Sequence, residues 1–430
     1  MSTEILAAKY LSLFLEKMNH TSLKRFTYRI KIKGNKRHRV QRLLFGTISY
    51  LLTIDTAIQR ASQELKINLA NLSTLELNLL RILTYRMLFD NYCISDIVRR
   101  LNITKASLIE KILSHIYLVI SATNMENISL QYSFPQWIIE ILMQAMSSDK
   151  LRMFLESLNK RPSKWIAVNT NKISIDDALE QLKKEGFDAE PDNDFKIAIR
   201  IKKFSRPLNK TNLYKQGIAI PASKASVGVV EALKISPGDI ILDACAAPGI
   251  KTILISFYLN DSGKIYAIDV DPRRFKRMRY LLRRFHVKNA LLVQADAREI
   301  KLQTSFDKIL IDAPCTSSGM IGISPDIKWR LRPMMINKFV KLQLDILKNL
   351  IQQLIDMRNR TEIVYSTCSI FPQENEDLMR KIIDTYRNEV NIDLEGLSDI
   401  GSEDYYGGFG RRFYPFIHNT IALFLTRLIV

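Results

Sequence analysis

Asp312-Ala313-Pro314-Cys315 places a carboxylate and a thiol three residues apart at the end of an apolar run, and EIVYSTCSIFPQENE places Cys368 at the end of another. A thiolate is a nucleophile, but free thiols are mostly protonated at neutral pH. Lys251 and helix N-termini nearby would help to supply the charged form. Methyl transfer to oxygen or nitrogen needs no thiol, because those atoms carry lone pairs. C5 of a pyrimidine becomes nucleophilic only after a group adds to C6, and a thiolate can do that if an acid stabilises the ring through N3. Asp312 is placed for that task. Most free cysteines are small core residues, and one alone would read that way. Two at strand ends beside a cofactor loop favour chemistry.

The cofactor loop is DACAAPGIKT, residues 243–252. It follows a strand and opens a helix, and its small residues with Gly249 let the backbone approach a ligand closely. It lacks the G-x-G-x-x-G of a pyrophosphate site. The next strand ends in Asp269, where a carboxylate can accept both ribose hydroxyls. Asp296 follows NALLVQA, one strand farther along, where an adenine amino group could be held. Acids often cap helices after strands, so each alone is a weak signal. Together they describe an S-adenosylmethionine (S-adenosyl-L-methionine) site.

Elements that could position these groups are legible in the periodicity. From 225 to 430 strands such as DIILDACAAPG, GKIYAIDVD, FDKILIDAP and TEIVYSTCS alternate with helical stretches such as PRRFKRMRYLLRRF. That alternation predicts an α/β Rossmann-like core with a mostly parallel sheet, whose ligand lies beyond the C-terminal strand ends. Residues 1–125 show helical spacing and little turn punctuation, predicting an all-helical domain. Residues 126–224 predict a small α+β module. Its basic strand KIAIRIKKF suits either an RNA-facing strand or an edge strand kept soluble by lysines.

The chain carries 63 Lys and Arg against 44 Asp and Glu, a formal charge of +19. Such an excess favours a polyanionic partner, nucleic acid or an acidic membrane surface. Lys24, Arg25, Arg29, Lys31, Lys33, Lys36, Arg37, Arg39 and Arg42 crowd around Gly34-Asn35, where a basic loop between two helices is expected. A second run, from Arg273 to Arg284, lies on one predicted helix; phosphate contact and a solvated face explain it equally. Cys93, Cys245, Cys315 and Cys368 are scattered without CxxC spacing, and no metal site or disulfide is expected. The start lacks the features of a secretory signal, and no apolar run reaches membrane-spanning length. The expectation is a cytosolic (cytoplasmic) protein.

DACAAPGIKT, IDAPCTSSGM, SPDIKW and YSTCSIFPQENE resemble the motifs of the Nol1/Nop2/Sun RNA cytosine-5 methyltransferases over residues 130 to 430. The helical N-terminal part resembles the NusB-like module of that family's 16S ribosomal RNA enzymes, and the middle module is RRM-like. The resemblance implies that Cys368 attacks C6 and that Cys315 assists breakdown of the adduct. It implies cofactor contacts from Cys245, Ala246, Ala247, Pro248, Gly249, Ile250, Lys251, Asp269, Arg274, Asp296 and Asp312. Lys251 matches the motif lysine near the methyl donor and the base. The chain departs from the family at Ile250, where a second glycine is common, at Gly322-Ile323-Ser324, where arginines are common, and at residues 219–223. The implied partner is ribosomal RNA, with transfer RNA as the alternative substrate. A non-catalytic RNA-binding assembly factor is the alternative class.

Overall fold

The computed structural model describes residues 2–32, 34–90, 104–122, 127–204, 206–358 and 360–430; Lys33 and Cys93 lie outside them. The described chain divides into two compact units, Met1–Lys160 with Met320–Leu331, and Arg161–Gly319 with Arg332–Val430.

Apolar residues at helical spacing give the first unit its helices, among them Thr3–Lys17, Gly34–Ser49, Leu51–Glu64, Thr74–Phe89 and Ala106–Ala122. Serines open several of them, as N-cap chemistry requires. Ser73 does so in a capping box with Glu76. Leu11, Phe14, Leu44, Leu80 and Ile112 form the buried centre. The predicted basic loop is mostly helical instead. Lys24 and Arg25 lie in the helix Leu23–Tyr28, and Lys36, Arg37, Arg39 and Arg42 in Gly34–Ser49. Arg37 donates to the carbonyls of Thr27 and Tyr28, closing the end of the shorter helix.

The segment Met320–Leu331 belongs to this helical unit although it is distant in sequence. Lys328 is wholly buried, and its Nζ donates to Ser49 O, Ser133 O and Asn159 Oδ1 at 2.7, 2.9 and 2.6 Å. Trp329 donates Nε1 to Ile48 O at 2.8 Å. SPDIKW is therefore an anchoring motif here, with its lysine and tryptophan turned into protein.

In the second unit, β1 (Lys164–Val168), β2 (Asp188–Pro191), β3 (Ala198–Lys203) and β4 (Ala219–Pro221) pair antiparallel in the order β2-β3-β1-β4. The helix Ile175–Lys184 contributes Ala178 and Leu182 to their core. β3, the basic strand, is interior; its exposed Lys202 pairs with Glu190 on the neighbouring strand. The edge-strand reading is thereby corrected.

The inner parallel strands of the large sheet are built from runs largely buried on both faces, as parallel strands require, whereas the edge strand Ala290–Val293 leaves Leu291 exposed. β5 (Ile240–Asp243), β6 (Lys264–Ile268), β7 (Ala290–Val293), β8 (Lys308–Asp312) and β9 (Glu362–Thr367) pair in parallel in the order β7-β6-β5-β8-β9. β10 (Asn391–Ile392), β11 (Ser402–Glu403), β12 (Arg411–Phe413) and β13 (Leu423–Ile429) extend it antiparallel beside β9. Leu242, Ile309, Ile311, Leu347, Leu350, Ile363 and Phe424 form its core, with the long helix Pro333–Met357 supplying Leu347 and Leu350. Order reverses at β5, where β6 lies on one side and β8 on the other, so the C-terminal ends of β5, β6, β8 and β9 border one crevice.

Candidate active site

Parallel pairing of β8 with β9 brings Asp312 opposite Ser366, and each chain then turns off the sheet into its cysteine. Ser366 Oγ donates to Asp312 Oδ1 at 3.0 Å, and Lys251 Nζ donates to Asp312 Oδ2 at 2.6 Å. Cys315 and Cys368, 53 residues apart in the chain, have sulfurs 3.3 Å apart. All four residues singled out for chemistry thus converge at the ends of β8 and β9.

The two thiols are not equivalent. The hydrogen bond from Cys315 lowers the Cys368 pKa, against burial and the Asp312 charge, with help from Ser317 and Lys251. Cys315 is raised well above an ordinary thiol by its bond to Cys368, then by burial, by the Cys368 charge and by Glu374. Cys368 is the sulfur disposed to ionise. Cys245 is pushed up by burial and by Asp243, Asp312 and Asp269, so it is no competitor.

The loop of residues 243–252 crosses from β5 into the helix Ile250–Leu259. Gly249 caps that helix at φ +97°, and a Cβ there would stand 2.8 Å from Met278 Cγ. Ile250 is already helical, so a glycine there is dispensable. Asp269 Oδ2 accepts the Ala247 N–H at 3.0 Å, and Oδ1 accepts that of Asp271 at 3.0 Å. Arg274 donates to Ala247 O and has its guanidinium 3.7 Å from Asp269. Asp296 departs from the expected arrangement, because Arg298 grips both its oxygens, at 3.0 Å through Nε and 2.6 Å through Nη2. Asp243 is fully buried; Thr252 donates to its Oδ2 at 2.7 Å, and its Oδ1 has no hydrogen-bond partner among the described residues. Burial raises its carboxyl to about 7, aided by Asp312 and Asp269 and opposed by the Thr252 bond.

Sequence reasoning missed the polar network beneath the thiols. Thr316, Ser318, Ser369, Glu374 and Asn375 are buried together and hydrogen-bonded, with Gln343 reaching in from the long helix. The signal was present in PQENE, whose acids and amide sit in a buried stretch. Glu376 makes a two-pronged pair with Arg412, at 2.6 and 2.7 Å. Among the described residues no cluster of three or more His, Cys, Asp or Glu could hold a metal ion, and no helix is long and apolar enough to cross a membrane.

Residues 230–429 match the family model described as 16S rRNA methyltransferase RsmB/F. Residues 134–206 match the Methyltr_RsmF/B-like, ferredoxin-like domain. The resemblance read from the motifs is borne out, and the small α+β module is ferredoxin-like. The chain is 34% identical to ribosomal RNA small subunit methyltransferase B of Enterobacter sp. (strain 638) over 65% of this chain and 66% of that protein. It is 35% identical to the Photorhabdus laumondii protein of the same name over 58% and 57%. The chain thus matches somewhat less than two thirds of the length of these relatives. Its fold is like that in the crystal structure of PH0851, at TM-score 0.74 and 24% identity over 100% of this chain and 99% of that one. A methyltransferase homologue from Pyrococcus horikoshii aligns at TM-score 0.60 and 26% identity over 72% and 99%.

Proposed function

We propose, from the premise that residues 230–429 are a methyltransferase domain of the RsmB/F family, that this protein methylates C5 of a cytidine in ribosomal RNA. The observation that carries the reading is the 3.3 Å approach of Cys315 and Cys368 beside the Lys251–Asp312 pair. The RsmB/F model and the names of the relatives favour ribosomal over transfer RNA.

Cys368 adds as thiolate to C6 of a cytidine turned out of its helix, as enzymes acting on a base require. Asp312 faces the ring at N3; it takes the proton that Cys368 gives up and, as the carboxylic acid, passes it to N3 as the C6–S bond forms, so the ring does not carry the full negative charge. Lys251 holds Asp312 and favours the thiolate. After C5 has been methylated, its proton leaves to water and the C6–S bond breaks to restore the aromatic ring, and the Cys315 S–H, beside the leaving sulfur, assists by hydrogen-bonding to the Cys368 thiolate as it departs. Cys315 is kept protonated in the free enzyme, so it does not compete as attacker.

The residues present fit S-adenosylmethionine. Asp243 Oδ1 is a buried acceptor without a partner among the described residues, set in a loop that Gly249 brings close to any ligand. Residues 245–251, Asp269, Arg274, Asp312 and, once released from Arg298, Asp296 would hold the cofactor. When bound, it supplies the electrophilic methyl group for C5.

The helical first domain, residues 1–125, is assigned the NusB-like role of selecting RNA. The ferredoxin-like module takes residues 126–224 and the core 225–430. The exposed arginines of the helix Pro272–Arg284 add a phosphate-binding face. The test is a denaturing gel of Cys315→Ala protein incubated with S-adenosylmethionine and RNA from cells lacking the gene. A retarded RNA–protein adduct, lost in Cys315→Ala/Cys368→Ala, is the expected result, and sequencing its RNA identifies the target. No adduct, together with no methyl transfer by the wild type, sinks the reading in favour of a non-catalytic assembly factor.

A further inference from the structure

The ladder between β8 and β9 ends at Asp312 and Ser366, with one last bond from the Ala313 N–H to Ser366 O at 2.9 Å. Both cysteines lie past that point, on chain that has left the sheet. Glu374 bridges the two segments there. One oxygen, Oε1, accepts the Thr316 hydroxyl at 2.6 Å and the Ser369 hydroxyl at 2.5 Å. The other, Oε2, accepts the Thr316 N–H and the Gln343 amide, each at 3.0 Å. Thr316 follows Cys315 directly, and Ser369 follows Cys368 directly. The same Gln343 amide also donates to Pro314 O at 2.8 Å, on the other side of Cys315.

We propose that Glu374 is the positioning residue that fixes the distance between the two reactive sulfurs. The inference rests on the roles given above to Cys315 and Cys368, and adds a residue that touches neither substrate nor cofactor.

The geometry suits the task. Glu374 is wholly buried, and burying a carboxylate is costly unless its oxygens are filled. Here four neutral donors fill them, and they come from both cysteine segments and the long helix. Asn375 completes the frame from the next position. It accepts the Thr367 hydroxyl on Oδ1 at 2.6 Å and donates from Nδ2 to Ser369 O and Phe371 O at 3.0 and 2.8 Å. A reaction that uses one sulfur to attack and the other to release needs both within a few tenths of an ångström of their working places. A misplacement of ~1 Å costs about 10²-fold in rate.

Two substitutions separate positioning from folding. Glu374→Gln keeps the shape, and the hydroxyls of Thr316 and Ser369 can turn to accept from its amide. Glu374→Asp keeps the charge but withdraws the oxygens by one methylene. The primary readout is dibromobimane, a thiol crosslinker that must bridge Cys315 and Cys368, run beside monofunctional alkylation of Cys368. Crosslinking should fall about 10-fold or more in Glu374→Asp and less in Glu374→Gln, with a smaller change in alkylation. In methylation, kcat should fall about 10²-fold with the KM for RNA little changed. Adduct should also accumulate on denaturing gels, since release depends on both sulfurs. Ser369→Ala, which removes a single strut, should show the same pattern more weakly if the glutamate variants fail to fold. Wild-type crosslinking in all folded variants overturns the proposal whatever the activity. A wild type that crosslinks normally but methylates no RNA overturns the functional reading, and the crosslinking comparison then still decides the role of Glu374.

Discussion

Lys251 Nζ donates to Asp312 Oδ2 at 2.6 Å, so the ammonium that favours the Cys368 thiolate is held by the carboxylate that opposes it. Behind the stronger influence of the Cys315 hydrogen bond, these charges pull the Cys368 pKa down and up respectively. Lys251→Met should therefore raise the pH midpoint for alkylation of Cys368, and Asp312→Asn should lower it. Both should cost about 10² to 10⁴-fold in methyl transfer. Asp312→Asn is the informative one, with a readier nucleophile and a slower reaction. Midpoints that move together would show that the pair does not act on Cys368 through charge.

The bond from Cys315 is the largest influence lowering the Cys368 pKa. Cys315→Ala removes that donor and should raise the alkylation midpoint of Cys368, whereas Cys315→Ser keeps a donor and should move it less. An unchanged midpoint in Cys315→Ala would mean that the 3.3 Å contact is not a hydrogen bond to the thiolate. The readout is mass-resolved alkylation across a pH series.

Gly249 holds φ +97°, and a Cβ there would press on Met278 Cγ at 2.8 Å. Gly249→Ala should cost roughly 1 to 3 kcal/mol in stability. Because the loop is the proposed cofactor cradle, it should also weaken S-adenosylmethionine binding measured by calorimetry. Gly238 has a positive φ too, but nothing stands within 4 Å of its Cβ position, so Gly238→Ala is the control for strain without contact. Equal losses in the two would leave the contact with Met278 without consequence.

Much of this was legible in the sequence because strand-end chemistry follows from local pattern. An apolar run ending in Asp-Ala-Pro-Cys must put its carboxylate and thiol at a strand terminus, and the parallel order puts β8 beside β9. The pairing of Asp296 was not legible, because an acid after a strand can as well bind the next basic side chain, and Arg298 stands two residues on. For the basic strand β3 the edge-strand alternative fell because its lysines say nothing about which strands flank it. Lys328 could not be read at all, and for Glu374 the sequence offered only the PQENE run and nothing of its partners. A carboxylate or ammonium in a sequence looks solvated until the fold shows that its partners are neutral donors or carbonyls from distant segments. The C-terminal strands β10 to β12 are too short to carry a period.

Lys328 illustrates that last point with a measurable consequence. Its ammonium is satisfied by three acceptors and lies 3.9 Å from the Phe134 ring centroid. Lys328→Met should cost the helical unit about 2 to 4 kcal/mol, because three buried acceptors lose their donor. Melting of the wild type and variant tests this; equal melting temperatures would mean that the acceptors find other donors.

Asp243 gives the clearest pH dependence. Its carboxyl is raised to about 7 by burial, against an unfolded value of ~3.9. Between those values the unfolded chain has lost the proton that the folded chain keeps. Stability therefore falls as pH rises through this window, by an amount on the order of 4 kcal/mol, and levels off above pH ~7. Asp243→Asn abolishes the titration while keeping a group of the same shape for Thr252. The difference in unfolding free energy between wild type and variant, followed by denaturant titration from pH 4 to pH 9, should drift in favour of the variant up to about neutrality and then stay constant. Other titrating groups contribute equally to both proteins and cancel. Parallel curves across the whole range would mean that Asp243 is ionised in the folded protein throughout, with its Oδ1 matched by a donor.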